Sequence, residues 1–170
     1  MIKSWNLGNR REIKVILVKK IGEVENEIFG RACLRKCGEI ISKIRLDEKY
    51  AGGLAGIEKY SHIYIIFWMH KVPAKDRRRQ KVPYVIKGES MDAGIFSTRV
   101  QFRSNPIGIT LVELIKREGN ILFVKGLEAM NGTPVIDIKP FTRRPLRQTF
   151  FEIKVRFAPW ANKRPAYNMR

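Results

Sequence analysis

The chain is divided into short apolar runs, rich in β-branched and aromatic residues, that end at turn-forming residues. Such runs are typical of strands, because branched and aromatic side chains pack well on a pleated sheet. The triplet Glu118-Gly119-Asn120 is a turn signal that joins the last two runs as a hairpin. The predicted strands are Glu12–Lys20, Glu39–Asp47, His62–Met69, Ile107–Ile115 and Asn120–Leu127, and the alternation in Phe150–Phe157 predicts a further one.

Helical periodicity is almost absent. One short helix is predicted over Gly53–Tyr60, with Leu54 and Ile57 on the same side. A doubly wound α/β fold needs strands that alternate with helices and a glycine-rich turn that opens a helix, and the sequence offers no such turn. The fold class predicted from the residues is therefore mainly β with long loops.

The length of 170 residues and the hydrophobic content of 44% suit one domain with a true core. We predict a basic N-terminal extension over residues 1–11, a β domain over 12–141, and a basic C-terminal strand and tail over 142–170.

The chain is strongly basic, with 34 Lys and Arg against 16 Asp and Glu and a formal charge of +18. A polyanionic partner is the natural inference, and nucleic acid is the leading candidate. The alternative is a generally basic proteome or a surface adapted to heat or salt. Charge alone does not distinguish RNA from DNA.

Two segments concentrate this charge. Residues 71–87 contain RRRQK and two prolines, and we predict a solvent-exposed loop that could clamp phosphates. Residues 142–170 interleave Trp160 and Tyr167 with basic side chains, which suits single-stranded RNA because unpaired bases stack on rings. The alternative is a solvated loop and a tail that packs its aromatic rings on the domain.

Neither a membrane segment nor a metal site is predicted. No apolar run approaches the roughly 20 residues that a spanning helix needs, and the N-terminus lacks the apolar core of a signal peptide. We therefore expect a cytoplasmic protein. Cys33 and Cys37 have no second cysteine pair to complete a tetrahedral zinc site, so we expect reduced thiols and no metal.

The segment Gly94–Phe141 places glycines, prolines, arginines and asparagines between apolar runs, a pattern typical of a ligand site built on loops. Its pieces are Ala93–Leu114, with TR, FR and NPIG elements, and Gly126–Phe141, with NGTPVIDIKP; they follow GLAGIEKYSHIYIIFWMH in Gly53–His70. In this order the motifs resemble the TsaA-like family of S-adenosylmethionine-dependent tRNA methyltransferases, over roughly Glu12–Phe141.

The resemblance implies a single-sheet antiparallel β-barrel that forms a homodimer and binds S-adenosylmethionine. It also implies methyl transfer to N6 of threonylcarbamoyladenosine next to the anticodon, so that the tRNA anticodon stem-loop is the expected partner. The cofactor contacts that it implies are Arg35, His70, Lys71, Arg99, Leu111, Glu128, Ala129, Met130 and Asn131.

Some of these positions have a chemical reason of their own. The planar guanidinium of Arg99 suits the carboxylate of the cofactor, with a structural salt bridge as the alternative. Arg103 suits the cofactor or a tRNA phosphate. His70 titrates near neutral pH and is the candidate catalytic base. Lys71 and Asn131 depart from the family pattern by adding a cation and removing a carboxylate, which could weaken binding of a cationic ligand unless Lys71 points outward.

The remaining candidates concern RNA. Asn105-Pro106 supplies a turn and a side-chain amide, whereas Asp137 and Lys139 share one strand face and could simply form an ion pair. The predicted RNA contacts are Arg77, Arg78, Arg79, Lys81, Arg103, Asn105, Arg143 and Arg144. Two other functions stay open, which are an RNA-binding barrel without catalysis and a methyltransferase for another nucleoside or a small molecule.

Overall fold

The computed structural model describes residues 16–30, 37–86 and 89–142, of which 84–86 and 89–90 are described by their backbone alone. Several predictions lie outside these residues, namely the first part of the strand Glu12–Lys20, the strand Phe150–Phe157, and the site residues Arg35, Arg143 and Arg144.

Antiparallel strands form a closed barrel in the described part of the chain. The strands are β1 Gly22–Glu25, β2 Ile41–Leu46, β3 His62–Trp68, β4 Lys81–Ile86, β5 Glu89–Gly94, β6 Ile107–Glu118, β7 Ile121–Lys125 and β8 Pro134–Pro140. The order around the barrel is β1-β2-β7-β6-β3-β8, and β4 and β5 pair as a separate two-stranded sheet. The predicted single-sheet antiparallel barrel is confirmed, with the β4–β5 hairpin as an addition to it.

Alternation along the strands builds the core. Ser42, Ile44 and Leu46 of β2 are buried, and the residues between them are exposed. The inward residues of β3 follow the same rule, as expected when a sheet closes on itself and every second side chain points inside. The fully buried interior includes Val24, Ile44, Ile63, Ile65, Val112, Leu122, Val124 and Val135.

The local predictions were right where the apolar pattern was long. β2, β3, β6 and β7 fall on predicted runs. The predicted helix Gly53–Tyr60 is instead two 3-10 segments, Glu48–Leu54 and Ile57–Lys59, which suits its glycines because they weaken an α-helix. The predicted strand Glu12–Lys20 is wrong over residues 16–20, which have no strand structure.

The loop predicted over residues 71–87 is also wrong, because it contains a 3-10 helix, Ala74–Arg78, and strand β4. Pro83 suggested a loop, since proline cannot donate a ladder hydrogen bond. In a two-stranded sheet each strand is an edge, so Pro83 can sit opposite Asp92 with its nitrogen side away from the partner.

Loops from distant parts of the chain meet at one end of the barrel. The chain leaves β3 through residues 69–72, and it crosses from β7 to β8 through residues 126–133. The opposite end carries the two 3-10 segments that follow β2. No helix among the described residues is long and apolar enough to cross a membrane.

Candidate cofactor site

A cleft opens where the loops after β3 and β7 meet, with an empty volume of about 430 Å³ including its solvent-filled mouth. The cleft is lined by Phe67, Met69, His70, Lys71, Val72, Gln101, Glu128, Ala129, Met130 and Thr133. The structure thus brings together the predicted cofactor residues of two separate motifs, the pair 70–71 and the loop 128–130.

His70 is the half-buried titratable group of the cleft, and its Nδ1 lies 3.4 Å from the hydroxyl oxygen of the buried Thr133. Burial lowers the pKa of His70, the positive charge of Lys71 lowers it further, and Glu23 opposes both effects. The imidazole is therefore neutral at neutral pH, the form that can accept a proton. Lys71 itself is exposed.

The loop of residues 128–132 is held by Asn26, just beyond β1. The Asn26 side-chain amide donates to the Ser42 hydroxyl at 2.9 Å and to the Ala129 carbonyl at 3.0 Å. Its backbone N–H donates to Asn131 Oδ1 at 3.0 Å, and the N–H of Gly132 donates to Val24 O at 2.8 Å. The Asn131 acceptor is thus engaged within the protein. The role of Asn26 was not predicted from the sequence, because no motif marks a single asparagine between two glutamates.

Phe67 forms the inner wall of the cleft at the end of β3, and it is only 4% exposed. Its partner across the sheet is Gly108 of β6. A Cβ atom at position 108 would overlap the edge of the Phe67 ring, so the glycine leaves the space that the ring occupies.

Other predicted residues lie away from the lining. Leu111 is 42% exposed on the outer face of β6, opposite Tyr64 of β3. Arg99 is exposed and makes no hydrogen bond or ion pair with the described part of the chain, so its salt-bridge alternative finds no partner there. Arg103 donates to the Thr98 carbonyl at 2.6 Å, and the Arg103 side chain is half-buried.

The arginines of the 3-10 helix Ala74–Arg78 and its C-terminal end differ in their surroundings. Arg79 donates through two nitrogens to Asp76 Oδ1 at 3.0 and 2.7 Å, and its guanidinium lies 4.8 Å from the centre of the Phe102 ring. Arg78 and Lys81 are exposed and, among the described residues, have no ion-pair or hydrogen-bond partner. Arg77 is half-buried, and its guanidinium carbon lies 5.5 Å from the centre of the Trp68 ring. Asn105 is exposed.

The Asp137–Lys139 ion pair suggested by the sequence is confirmed, with 2.6 Å between Lys139 Nζ and Asp137 Oδ2 on β8. Within residues 16–30, 37–86 and 89–142, no group of His, Cys, Asp and Glu could hold a metal ion. Cys37 is buried, and burial raises the pKa of its thiol.

Comparison with known proteins assigns the chain to a family. The model of the tRNA-methyltransferase O N-terminal domain matches residues 34–145. The chain belongs to the tRNA-methyltransferase O N-terminal domain family. The cleft-lining residues all fall inside the span that this family model matches, whereas Asn26 lies before it.

Relatives of the chain include an S-adenosyl-L-methionine-binding protein of Archaeoglobus fulgidus. It is 40% identical over 130 residues, which cover 75% of this chain and 90% of that protein. The human tRNA (adenine(37)-N6)-methyltransferase is 38% identical over 113 residues, which cover 66% of this chain and 24% of the human protein.

The crystal structure of TrmO from Pseudomonas aeruginosa has a similar fold, with a TM-score of 0.62 and 23% sequence identity. The match covers 85% of this chain and 62% of that one. The chain therefore spans less than two thirds of this solved relative, and at this identity the likeness concerns the fold.

Proposed function

We propose that the chain is an S-adenosylmethionine-dependent methyltransferase that modifies N6 of an adenosine in tRNA. The observation that carries the proposal is the convergence of two family motifs, residues 70–71 and 128–130, on one cleft. The relatives named as S-adenosyl-L-methionine-binding proteins and as a tRNA (adenine(37)-N6)-methyltransferase support the choice of cofactor and reaction.

The cleft residues fit such a cofactor. Phe67, Val72 and Ala129 offer buried apolar surface for a purine ring, and the carboxylate of Glu128 offers an acceptor for a positive centre. Asparagine in place of aspartate at position 131 should change cofactor affinity little, because the Asn131 side-chain oxygen already accepts a hydrogen bond from the backbone N–H of Asn26. Lys71 is exposed, so water and salt screen its repulsion of a cationic ligand.

Bound S-adenosylmethionine supplies an electrophilic methyl group, and the protein has to align the acceptor nitrogen with it. Alignment of two bound reactants can lower a barrier by roughly 7 to 11 kcal/mol. His70 receives the proton that the nitrogen loses. When its Nδ1–H donates to the Thr133 hydroxyl, the Nε2 lone pair is free to accept that proton.

The specific nucleoside that we propose as the substrate is threonylcarbamoyladenosine next to the anticodon. In that nucleoside a carbonyl and the purine ring both withdraw electrons from N6, so the proton leaves more easily than from a simple amine. A weak base such as a neutral imidazole is then sufficient.

RNA binds through exposed cations of the segment that follows the turn of residues 69–72, in a protein that carries a formal charge of +18. Among the described residues Arg78 and Lys81 are solvent-facing and without partners, so their charges are available to phosphates. Asn105 and Arg103 lie on the loop that precedes β6. The protein works in the cytoplasm, where tRNA is modified and used.

The protein forms a homodimer through the outer face of β6. Apolar side chains recur there at alternate positions and are 40% to 52% exposed, namely Ile107, Ile109, Leu111 and Ile115. An exposed apolar stripe of this kind is typical of a contact between proteins. Leu111 belongs to this stripe.

Calorimetric titration with S-adenosylmethionine tests the cofactor assignment. Arg99 lies outside the lining but two residues before the lining residue Gln101, and we propose that it reaches the carboxylate of the cofactor. A paired charged hydrogen bond is worth about 1.5 to 3 kcal/mol. Arg99→Ala should therefore raise the dissociation constant by about 10-fold to 150-fold. The matched control is Lys75→Ala, since Lys75 is also exposed and is assigned no role.

Methylation of anticodon stem-loops with and without the threonylcarbamoyl group then tests the substrate. A folded protein that binds no cofactor would refute the proposal. Tight, salt-sensitive RNA binding without cofactor affinity would indicate the non-catalytic RNA-binding barrel.

A further inference from the structure

Arg77 differs from its basic neighbours because it is half-buried and faces the barrel. Its Nε and Nη2 both donate to the carbonyl oxygen of Val72, at 3.1 and 2.9 Å. Its guanidinium carbon lies 5.5 Å from the centre of the Trp68 ring, within the range of a cation–π contact. The side chain is therefore used inside the protein.

The two groups that Arg77 contacts lie at the two ends of one turn. Trp68 is the last residue of β3, and Val72 ends the turn that follows it. Val72 is only 3% exposed, and its N–H donates to the Met69 carbonyl at 3.1 Å. All four residues from 69 to 72 line the cleft, so Arg77 connects the start and the end of the segment that carries His70 and Lys71.

We propose that Arg77 is a positioning residue of the cofactor cleft, which fixes the turn of residues 69–72 and thereby the place of His70. This inference rests on the proposed function. A planar guanidinium can direct two N–H groups at one carbonyl while its flat face lies near a ring, whereas an ammonium is a compact point charge without a planar face or a fixed pair of donors. With its guanidinium in these contacts, Arg77 is assigned to the turn and not to RNA binding.

The test compares Arg77→Lys with a matched control, Arg117→Lys. Arg117 also donates to backbone carbonyls, those of Gly119 at 2.8 Å and Leu54 at 2.9 Å, but at the opposite end of the barrel. Both variants keep the charge and lose the same kind of contact. Any general loss of stability should appear in both, and an effect on the cleft only in Arg77→Lys.

Cofactor binding and kinetics give the first readout. We expect Arg77→Lys to raise the dissociation constant for S-adenosylmethionine about tenfold, the size of one lost charged hydrogen bond, and Arg117→Lys to change it less than about twofold. The KM for the cofactor should rise in parallel in Arg77→Lys, and kcat at saturating cofactor should fall, because the displaced His70 is the proposed base.

Imidazole NMR gives a second readout that needs no ligand. The chain has two histidines, and the exposed His62 on β3 serves as an internal reference for His70. In Arg77→Lys the titration of His70 should move, because the turn no longer holds the His70 ring against Thr133.

Wild-type cofactor affinity together with an unmoved His70 titration in Arg77→Lys would overturn the inference and leave the proposed function intact. So would an Arg77→Gln variant that loses RNA affinity but keeps cofactor affinity, since Arg77 would then contact phosphate. A folded wild-type protein that binds no cofactor would remove the proposed function itself, and the inference with it.

Discussion

Replacement of Gly108 by alanine should disturb both the barrel and the cleft. The added Cβ would overlap two atoms of the Phe67 ring and lie 3.0 Å from a third, Cδ2. Phe67 is almost fully buried in the core, so its ring has little room to move. Overpacking of this kind costs about 1 to 3 kcal/mol, and the lower entropy of alanine in the unfolded chain returns about 0.5 to 1 kcal/mol. We therefore expect Gly108→Ala to lower the free energy of unfolding by about 0.5 to 2 kcal/mol.

Urea unfolding measures this change, and two further variants make it specific. Gly52→Ala is the control, because no atom lies within 4 Å of a Cβ built there, and we expect it to be neutral or slightly stabilising. Phe67→Leu removes the ring edge, so the double variant with Gly108→Ala should be more stable than the sum of the two single effects by about 1 kcal/mol. Cofactor affinity should fall in Gly108→Ala, because the displaced ring lines the cleft.

Additive effects of the two substitutions would refute the reasoning. So would a Gly108→Ala variant that unfolds at the same urea concentration as the wild type. Either result would mean that the ring does not fill the space next to Gly108.

Three further predictions concern the site and the surface. Lys71→Gln should raise the pKa of His70, seen by NMR, because a neighbouring positive charge is removed. Since that pKa is lowered on folding, the unfolded chain binds more protons and stability falls as pH drops below about 6.5; the fall should be smaller in Lys71→Gln. Asn26→Ala should lower the free energy of unfolding in urea by about 1 to 3 kcal/mol and weaken cofactor binding, because the Ala129 carbonyl loses its donor. Unchanged cofactor affinity would mean that the loop of residues 128–132 holds its shape without Asn26. Leu111→Glu should produce a monomer in sedimentation velocity, and a retained dimer would place the interface elsewhere.

The strands that sequence analysis found are those with long patterns. β3 is an almost continuous apolar run, and β6 keeps its alternation for most of its length. β1 has four residues, Gly22–Glu25, of which two are glutamates, and its pairing with β2 and β8 decides its conformation. Tertiary contacts of this kind cannot be predicted from a local window.

The site was predictable in part for the same reason. The pair 70–71 and the loop 128–130 lie in motifs that can be recognised along the chain, but Asn26 acts through partners more than a hundred residues away. The three consecutive arginines look equivalent in the sequence. In a 3-10 helix, with about three residues per turn, neighbouring side chains point in different directions. Arg77 is therefore half-buried against Trp68, whereas Arg78 is exposed.

The order of strands around the barrel has a consequence for the synthesis of the protein. Among the described strands of the barrel, only β1–β2 and β6–β7 are neighbours both along the chain and in the sheet, and closure requires Gly22 to pair with Val135. Folds dominated by such distant pairings fold slowly, because a long loop has to close before the contacts form. During translation the outer edges of β1 and β2 have no partner strand until β8 and β7 have left the ribosome. Lower temperature during expression should reduce losses to aggregation, because apolar attraction between exposed segments weakens on cooling.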